Sequence, residues 1–150
     1  MQHKQKAALL SIIPGIGQFY NKQKVKGLLF LGLFIAFFIV FADLLNMGLW
    51  GIITLGVEVP RDNSVFLLAE GIIALIVIAF GLAFYYYNIK DAYRNGDKRD
   101  NGLALDSLKD QYHNLIEQGY PYLISGPSLL ILIFAVVFPI LFSFSLAFTN

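Results

Sequence analysis

Residues Leu28–Ala42, LLFLGLFIAFFIVFA, carry no charge and decide the fold class. A helix built from this run is apolar on every face, as expected where lipid rather than water is the solvent. It belongs to the first of three long apolar stretches, Gly27–Leu45, Val65–Tyr87 and Pro121–Phe148. Each is close to the length of about 20 residues that crosses a hydrocarbon core about 30 Å thick. The sequence therefore predicts an all-α membrane protein with three transmembrane helices.

The composition supports the membrane class and excludes several kinds of site. Hydrophobic residues make up 57% of the 150 residues and charged residues only 14%, against about 25% charged in soluble domains. The net charge of +1 gives no case for a nucleic-acid partner. There is no cysteine, and His3 and His113 are the two histidines, so thiolate metal sites and disulfides are excluded. We expect no metal, no cofactor and no enzymatic activity.

The basic residues predict how the chain crosses the bilayer. Five lysines precede the first span, Arg61 is the single basic residue between the first and second, and five basic residues separate the second from the third. Short loops rich in lysine and arginine stay in the cytoplasm. The N-terminus and the second loop are therefore predicted to be cytoplasmic. The first loop and the C-terminal end are predicted to be extracellular.

These patterns divide the chain into seven segments. The conformation of the first loop stays open, because Ile52–Val59 fits either a strand or an extension of the first helix. The third span ends almost at the last residue, which we interpret as the front end of a larger membrane protein. The predicted segments are an N-terminal cytoplasmic or interfacial segment (1–26), a transmembrane helix (27–48), an extracellular loop (49–64), a transmembrane helix (65–87), a cytoplasmic loop (88–120), a transmembrane helix (121–148) and the start of an extracellular segment (149–150).

The N-terminal segment predicts a short helix followed by a tight turn. Apolar residues over Ala7–Ile13, flanked by lysines, favour a helix in the headgroup layer that ends at Pro14. The string Pro14–Asn21, PGIGQFYN, then places glycines where unusual dihedral angles or close backbone approach are needed. No strand pattern precedes it and no Gly-Lys-Ser/Thr follows, so a phosphate-binding loop is excluded. We expect the turn to bring the interfacial helix back toward the first span.

The cytoplasmic loop predicts two different conformations. Asp91–Gly102 is charged and punctuated by glycine and asparagine, which indicates a solvated loop. Residues 103–118 alternate apolar and polar side chains at three- and four-residue spacing, which indicates an amphipathic helix. Ser107 and Asp110 have the spacing of a capping box. Because acids outnumber bases on this helix, we expect it to pack on protein more than on anionic lipid.

Three polar or helix-breaking positions inside the spans are candidates for special roles. Pro139 predicts a kink in the third span, with Ser143 and Ser145 available to bond the freed carbonyl groups. Asp43 and Glu70 are the acidic residues within or beside the spans, and intramembrane carboxylates are functional candidates by default. Both lie close to the outer interface, where hydration, protonation or pairing of Glu70 with Arg61 is the simpler interpretation. Contact with substrate or ions is the alternative.

Two stretches resemble a known family of proteins. They are Lys6–Asn21, KAALLSIIPGIGQFYN, and the closing part, Gly119–Leu123 with Phe138–Asn150, FPILFSFSLAFTN. Both are similar to maltose/maltodextrin-type ABC importer permeases of Gram-positive bacteria. The order of elements agrees along the whole chain.

The resemblance implies the N-terminal part of a permease subunit of an ATP-driven maltodextrin or oligosaccharide importer. Its partners would be a second permease subunit, a dimer of cytoplasmic ATPase subunits and an extracellular sugar-binding protein. The chain itself would lie in the lipid bilayer of a bacterial cell membrane. The family's Glu-Ala-Ala coupling loop and the later spans along the substrate path have no counterpart here. No substrate-binding or ATPase-contacting residue can therefore be assigned, and the three spans would be peripheral to the pathway. A small membrane scaffold or assembly protein without transport activity is the alternative, since the opening turn motif also occurs in such proteins.

Overall fold

The computed structural model describes residues 2–57, 61–117 and 120–149. These residues form helices and connecting turns, with no strand among them. Three helical stretches, Lys24–Thr54, Ser64–Asp100 and Ile124–Ala147, are long and apolar enough to cross a membrane. The predicted all-α membrane fold is confirmed. The helices are α1 (His3–Leu10), α2 (Ile16–Tyr20), α3 (Lys24–Thr54), α4 (Ser64–Asp100), α5 (Leu108–Glu117), α6 (Tyr120–Leu132) and α7 (Phe138–Thr149), with a π-helical turn at Ile133–Val137 between the last two.

Helix α4 corrects the prediction for the second loop. It continues past Tyr87 to Asp100, so residues 91–100, predicted as a solvated loop, are helical. The helix ends where Gly102 adopts a positive φ of 66°. There the Leu103 N–H donates to Lys98 O at 2.8 Å and the Gly102 N–H donates to Arg99 O at 3.3 Å. This is the Schellman pattern of helix termination. The polar composition was misleading because these side chains are satisfied by tertiary partners rather than by water.

The C-terminal end of α3 and the N-terminal end of α4 show whether the first loop begins with a strand or with an extension of the first helix. Helix α3 runs to Thr54, so the first helix is extended and the strand interpretation of Ile52–Thr54 is wrong. Residues 58 and 59 of the predicted strand lie outside the described residues. Asn63 precedes α4 and its side-chain oxygen accepts hydrogen bonds from the N–H groups of Val65 and Phe66, at 3.1 and 3.4 Å. An asparagine in this position is a favoured N-terminal cap.

The predicted amphipathic helix is shorter than the sequence pattern indicated. Helix α5 covers Leu108–Glu117, whereas 103–118 was predicted; Leu103–Asp106 are not helical, and residue 118 lies outside the described residues. The capping box is confirmed. Ser107 Oγ accepts from the Asp110 N–H at 3.1 Å, and Asp110 Oδ2 accepts from the Ser107 N–H at 2.9 Å.

The described residues form two compact units. The first unit comprises Met1–Val40 and Phe80–Glu117, and the second comprises Phe41–Ala79 and Gln118–Asn150. Helices α3 and α4 contribute to both.

The second unit is built from apolar side chains and close backbone contacts. Leu68, Ile72 and Ile76 are buried at four-residue spacing on α4, and the partly buried residues packed against them are Ile52, Leu55, Ile133, Phe138, Phe142 and Leu146. Gly48 of α3 allows α4 to approach closely. A Cβ at Gly48 would lie 2.6 Å from Ala74 Cβ and 2.8 Å from Glu70 O. Small residues allow such close crossing of membrane helices.

The third span departs from α-helical geometry just before Pro139. The π-helical turn Ile133–Val137 precedes it by one residue. Proline lacks the N–H that an α-helix would offer to the carbonyl of Ala135, and its ring crowds that carbonyl. A π turn is one way to accommodate this. Ser145 Oγ donates to Leu141 O at 2.8 Å rather than to the carbonyl freed by the proline, so the prediction is wrong for Ser145.

Candidate functional site

The first unit contains a polar cluster that the sequence patterns did not reveal. Its buried polar and charged side chains are Ser11, Gln18, Asn21, Lys26, Asn88, Asp91 and Asn95. Polar side chains that are buried without partners are costly, whereas hydrogen-bonded ones specify a unique packing. We call these seven residues the polar network. It joins the N-terminal segment and the first turn of α3 to the polar end of α4.

One face of α4 supplies three of the seven residues of the polar network. Asn88, Asp91 and Asn95 recur at three- and four-residue spacing, so they project from the same side of the helix. Ala92 and Gly96 lie on that side too, and both are buried. Their small side chains let the N-terminal segment approach the helix backbone. A Cβ at Gly96 would lie 2.6 Å from Lys4 Cα.

Asn88 fixes the turn between α1 and α2. Its Oδ1 accepts from the Gly15 N–H at 3.2 Å, and its Nδ2 donates to Ser11 O at 3.0 Å. Gln18 Nε2 donates to the backbone oxygen of Asn88 at 3.0 Å. Gly15 has φ of 91°, and a Cβ there would lie 2.2 Å from Gly27 O. The predicted tight turn back to the first span is thus confirmed, and glycine is required at its centre.

A buried ion pair lies at the centre of the polar network. Lys26 Nζ donates to Asp91 Oδ1 at 3.1 Å, and the two side chains are only 2% and 3% exposed. Gln18 Nε2 and Asn95 Nδ2 also donate to the Asp91 carboxylate, at 3.3 and 3.1 Å. A buried carboxylate is tolerated when a cation and additional donors surround it in this way.

Further side-chain amides connect the polar network to the chain before α5. Asn21 Nδ2 donates to Ala92 O at 2.9 Å. Gln23 Nε2 donates to Asn95 Oδ1 at 3.0 Å and to Asp106 O at 2.6 Å. Asn95 Oδ1 also accepts from the Asp106 N–H at 2.9 Å. The N-terminal segment, α4 and the residues before α5 are therefore held together by amide groups.

The N-terminal end of α1 is capped by a residue from the end of α4. The Asp100 carboxylate accepts from the backbone N–H groups of His3 and Lys4, at 2.9 and 3.0 Å. The bond from Lys4, aided by that from His3, lowers the pKa of Asp100. Lys4 Nζ donates to Asp97 Oδ1 at 2.9 Å, and this bond raises the pKa of Lys4. The start of α1 is thereby fixed to the end of α4.

Helix α2 is held at its C-terminal end by Arg99. The guanidinium donates to Tyr20 O at 2.9 Å and lies over the Tyr20 ring, 5.2 Å from its centroid. The Tyr20 hydroxyl is hydrogen-bonded to His3 Nδ1 at 2.7 Å. A cation at this end of a helix bonds the free carbonyls.

The two carboxylates predicted as candidates both belong to the second unit and are not part of the polar network. Asp43 is exposed and Glu70 is half-buried on the second unit. The sequence left hydration, protonation and pairing with Arg61 open for Glu70. Within residues 2–57, 61–117 and 120–149, neither the Glu70 nor the Asp43 side chain has a hydrogen bond or salt bridge. The backbone of Glu70, by contrast, lies at the close approach to Gly48.

The described residues offer no group of three or more histidine, cysteine or acidic side chains placed to hold a metal ion. The groups of the polar network are instead engaged with one another and with backbone atoms. Four buried side-chain oxygens, on Ser11, Gln18, Asn21 and Gln23, have no partner within the described part of the chain. The amide groups of Gln18, Asn21 and Gln23 are nevertheless held by hydrogen bonds from their nitrogens. The arrangement is suited to holding helices in place.

A sequence signal for the polar network existed. The amides and the carboxylate Asn88, Asp91 and Asn95 follow helical spacing directly after an apolar span. Gln18 and Asn21 stand at comparable spacing in the PGIGQFYN turn. Two polar patterns with the same period suggest two helical surfaces that form hydrogen bonds with each other. The pairing itself cannot be read from the sequence, because either surface would be equally well satisfied by water.

Comparison with characterised proteins finds relatives along the whole chain. It is 70% identical over 150 residues to a galactooligosaccharides transport system permease protein of Bacillus subtilis, covering 100% of this chain and 36% of the relative. It is 45% identical over 150 residues to a maltodextrin transport system permease protein of Streptococcus pneumoniae, covering 99% of this chain and 34% of the relative. A B. subtilis maltodextrin permease protein is 40% identical over 153 residues, with 99% and 34% covered.

The chain spans about a third of the length of these relatives. No protein-family model matches it. No solved structure matches it either. The aligned regions nevertheless cover 99–100% of this chain.

Proposed function

We propose that this chain, which is related over its whole length to sugar-transport permease proteins, forms the N-terminal transmembrane part of a permease subunit of an ATP-driven oligosaccharide importer. The observation that carries the proposal is the 70% identity to a permease named for galactooligosaccharide transport. Three helices of membrane-spanning length and composition are consistent with it. A scaffold without transport activity is not favoured, since the relatives named above are transport permeases.

The proposed partners follow from the family resemblance. They are a second permease subunit, a dimer of cytoplasmic ATPase subunits and an extracellular sugar-binding protein, and the chain itself would lie in the bacterial cell membrane. The lysine distribution supports a cytoplasmic N-terminus and second loop. In that orientation the polar network lies on the cytoplasmic side, next to the inner membrane surface.

The polar network gives the segment its proposed role within the permease. It ties the N-terminal segment to α4 through backbone and side-chain bonds that involve buried groups such as Asn88 and Asp91. A packed, hydrogen-bonded inner end would give the first two spans a fixed spacing. We therefore assign these residues to support of the permease, peripheral to the substrate pathway.

The substrate class is an oligosaccharide. The family resemblance of the sequence suggested maltodextrins, whereas the relative with 70% identity is named for galactooligosaccharides. The relatives named for maltodextrins are 45% and 40% identical. The higher identity favours galactooligosaccharides.

Uptake in cells tests the function and the substrate together. A strain lacking the intact gene is supplied with the natural gene, and uptake of labelled galactooligosaccharide and labelled maltotetraose is measured separately. We expect restored uptake of galactooligosaccharide, with the other sugar transported more slowly. Restored uptake of maltotetraose alone would overturn the substrate assignment, and restored uptake of neither sugar would overturn the transport function.

Asp43 and Glu70 are proposed to act at the outer interface rather than on the substrate. Conservative variants, Asp43→Asn and Glu70→Gln, remove the charge and keep the shape. We expect the KM for the transported sugar to stay unchanged in both. A several-fold rise in KM at normal expression would assign the altered carboxylate to substrate contact.

The orientation is tested with single cysteines, because these 150 residues contain none of their own. Gln5, Val57 and Leu103 are exposed and lie in the N-terminal segment, the first loop and the second loop. With each changed to cysteine in turn, a membrane-impermeant maleimide added to intact cells should label the Val57→Cys protein alone. Labelling of the Gln5→Cys protein from outside would reverse the proposed topology.

A further inference from the structure

A basic cleft lies on the first unit beside the polar network. It is formed by residues 22–26 and 105–109 and has a volume of about 580 Å³. Lys22, Lys24 and Lys109 line it from two sides and are exposed. We call it the lysine cleft. Lysines from two separate segments thus converge on one concave surface at the start of α3.

The three exposed lysines of the lysine cleft form no salt bridge within the described part of the chain, and Lys109 interacts with the neighbouring Asp110 carboxylate only through space. None of Lys22, Lys24 and Lys109 forms a salt bridge with another described residue. The acid that lines the cleft, Asp106, is already paired with Lys98 at 2.6 Å and with Arg94 at 3.5 Å. Three ammonium groups therefore remain to attract an anion.

The lysine cleft also has an apolar side that leads toward the first span. Val25 and Leu108 line it, and Val25 is 67% exposed. Leu28, three residues after Val25 on α3, is also 67% exposed. Residues three apart lie on the same face of a helix. A ligand with an anionic head and an apolar tail could place the head on the lysines and the tail along Val25 and Leu28.

We propose that the lysine cleft binds the phosphate headgroup of an anionic phospholipid in the leaflet next to the N-terminal segment. Lysine binds phosphate as a point charge, and basic residues beside a membrane helix attract anionic lipid. The continuous path from ammonium groups to an apolar span favours a lipid over a soluble phosphate. Two of the three lysines lie outside the amphipathic helix, which explains why the charge of that helix alone gave no reason to expect a lipid.

The test titrates the full-length natural polypeptide in detergent with a fluorescent phosphatidylglycerol. Phosphatidylcholine with the same acyl chains serves as the zwitterionic comparison. Lys24→Gln/Lys109→Gln removes one charge from each side of the cleft and leaves Lys22, which has a positive φ of 64°, in place. The matched control, Lys6→Gln/Lys90→Gln, removes two exposed lysines that do not line the cleft. Lys24→Arg/Lys109→Arg keeps the charge.

We expect the Kd for phosphatidylglycerol to rise about 25-fold in the cleft variant, because each lysine beside an anionic lipid contributes roughly fivefold. The control and the arginine variant should stay within about twofold of the natural protein. Phosphatidylcholine should bind more weakly than phosphatidylglycerol and be insensitive to the cleft variant.

Three results would overturn the proposal. An equal loss in the cleft variant and the control would indicate general attraction to charge rather than a site. No loss in the cleft variant would exclude the cleft. Displacement of the lipid by inorganic phosphate, but not by chloride at the same ionic strength, would identify a soluble phosphate as the ligand. Because the readout is lipid binding, it is independent of whether the protein transports a sugar.

Discussion

The two units of this protein use the same pair of long helices with opposite chemistry. In the first unit, α4 meets its neighbours through Asn88, Asp91 and Asn95, all buried and hydrogen-bonded. In the second unit, the same helix presents Leu68 and Ile72 and meets α3 at Gly48. The polar end of the first unit depends on complementary polar groups, and the second unit depends on shape.

The contrast has a physical origin in the surroundings of each unit. Within a bilayer the backbone is satisfied inside each helix, and side-chain polar groups are expensive. Close contact through small residues is then the main source of helix association. Beyond the span, water is available to the unfolded segment, so polar groups can be paired on folding at little net cost. The predictions below remove one feature of each unit at a time.

The largest effect is expected from breaking the buried ion pair. Asp91→Ala leaves Lys26 buried without its counter-charge, and such a loss costs about 3–5 kcal/mol. The free energy of unfolding of the full-length protein, measured by denaturant titration in detergent, should fall by that amount. The reason is that Lys26, whose side chain is 2% exposed, would stay largely buried without its counter-charge.

Two further variants show whether the charge or the packing matters. Lys26→Met/Asp91→Leu replaces both charges with apolar groups and should recover most of the stability. Asp97→Ala breaks the more exposed pair with Lys4 and should have a much smaller effect. If Asp91→Ala were no worse than Asp97→Ala, the polar network would not hold the first unit together.

An intermediate effect is expected from filling the close approach in the second unit. Gly48→Ala places a methyl group 2.6 Å from Ala74 Cβ and 2.8 Å from a backbone oxygen. Overpacking of this kind costs about 1–3 kcal/mol, which the better helix propensity of alanine offsets in part. The same denaturant titration should show a net loss.

Gly32→Ala is the matched control on the same helix. A Cβ at Gly32 would meet nothing within 4 Å. Stability should therefore stay constant or rise by up to about 1 kcal/mol. Equal losses for Gly32→Ala and Gly48→Ala would show that glycine matters for α3 itself and not for its contact with α4.

The smallest effect concerns the capping box of α5. The hydrogen bonds from the Ser107 hydroxyl and then its N–H lower the pKa of Asp110 below its usual 3.8. Its stabilisation of the helix is therefore complete above that value and is lost as the pH falls through the lowered pKa. Amide-exchange protection of α5 should decline at low pH. In Asp110→Asn this dependence should disappear, and an unchanged decline would assign it to another group.

The sequence predicts the structure of the apolar spans better than it predicts the structure of the polar end of α4. The apolar runs around Phe30 and Ile72 indicated helices and spans correctly, because a long apolar segment has few other stable conformations in lipid. The charged run Asp91–Asp100 was misjudged as a loop. Polar residues fit a solvated loop and a hydrogen-bonded helix equally well until their partners are known. The capping signal at Ser107 and Asp110 was reliable because both partners lie within four residues.

The sequence by itself determined the number of spans, the turn at Pro14–Gly15 and the resemblance to sugar-transport permeases. Each depends on local composition or on neighbouring residues. Only the tertiary structure decided that α4 continues to Asp100, that Asp91 pairs with Lys26, and that lysines from distant segments meet in one cleft. The two residues of the ion pair lie 65 positions apart in the sequence. Lys22 and Lys24 lie more than 80 positions from Lys109, with which they share the cleft. A local sequence pattern shows which polar groups need hydrogen-bond partners when they are buried. Tertiary packing determines which distant residues become those partners.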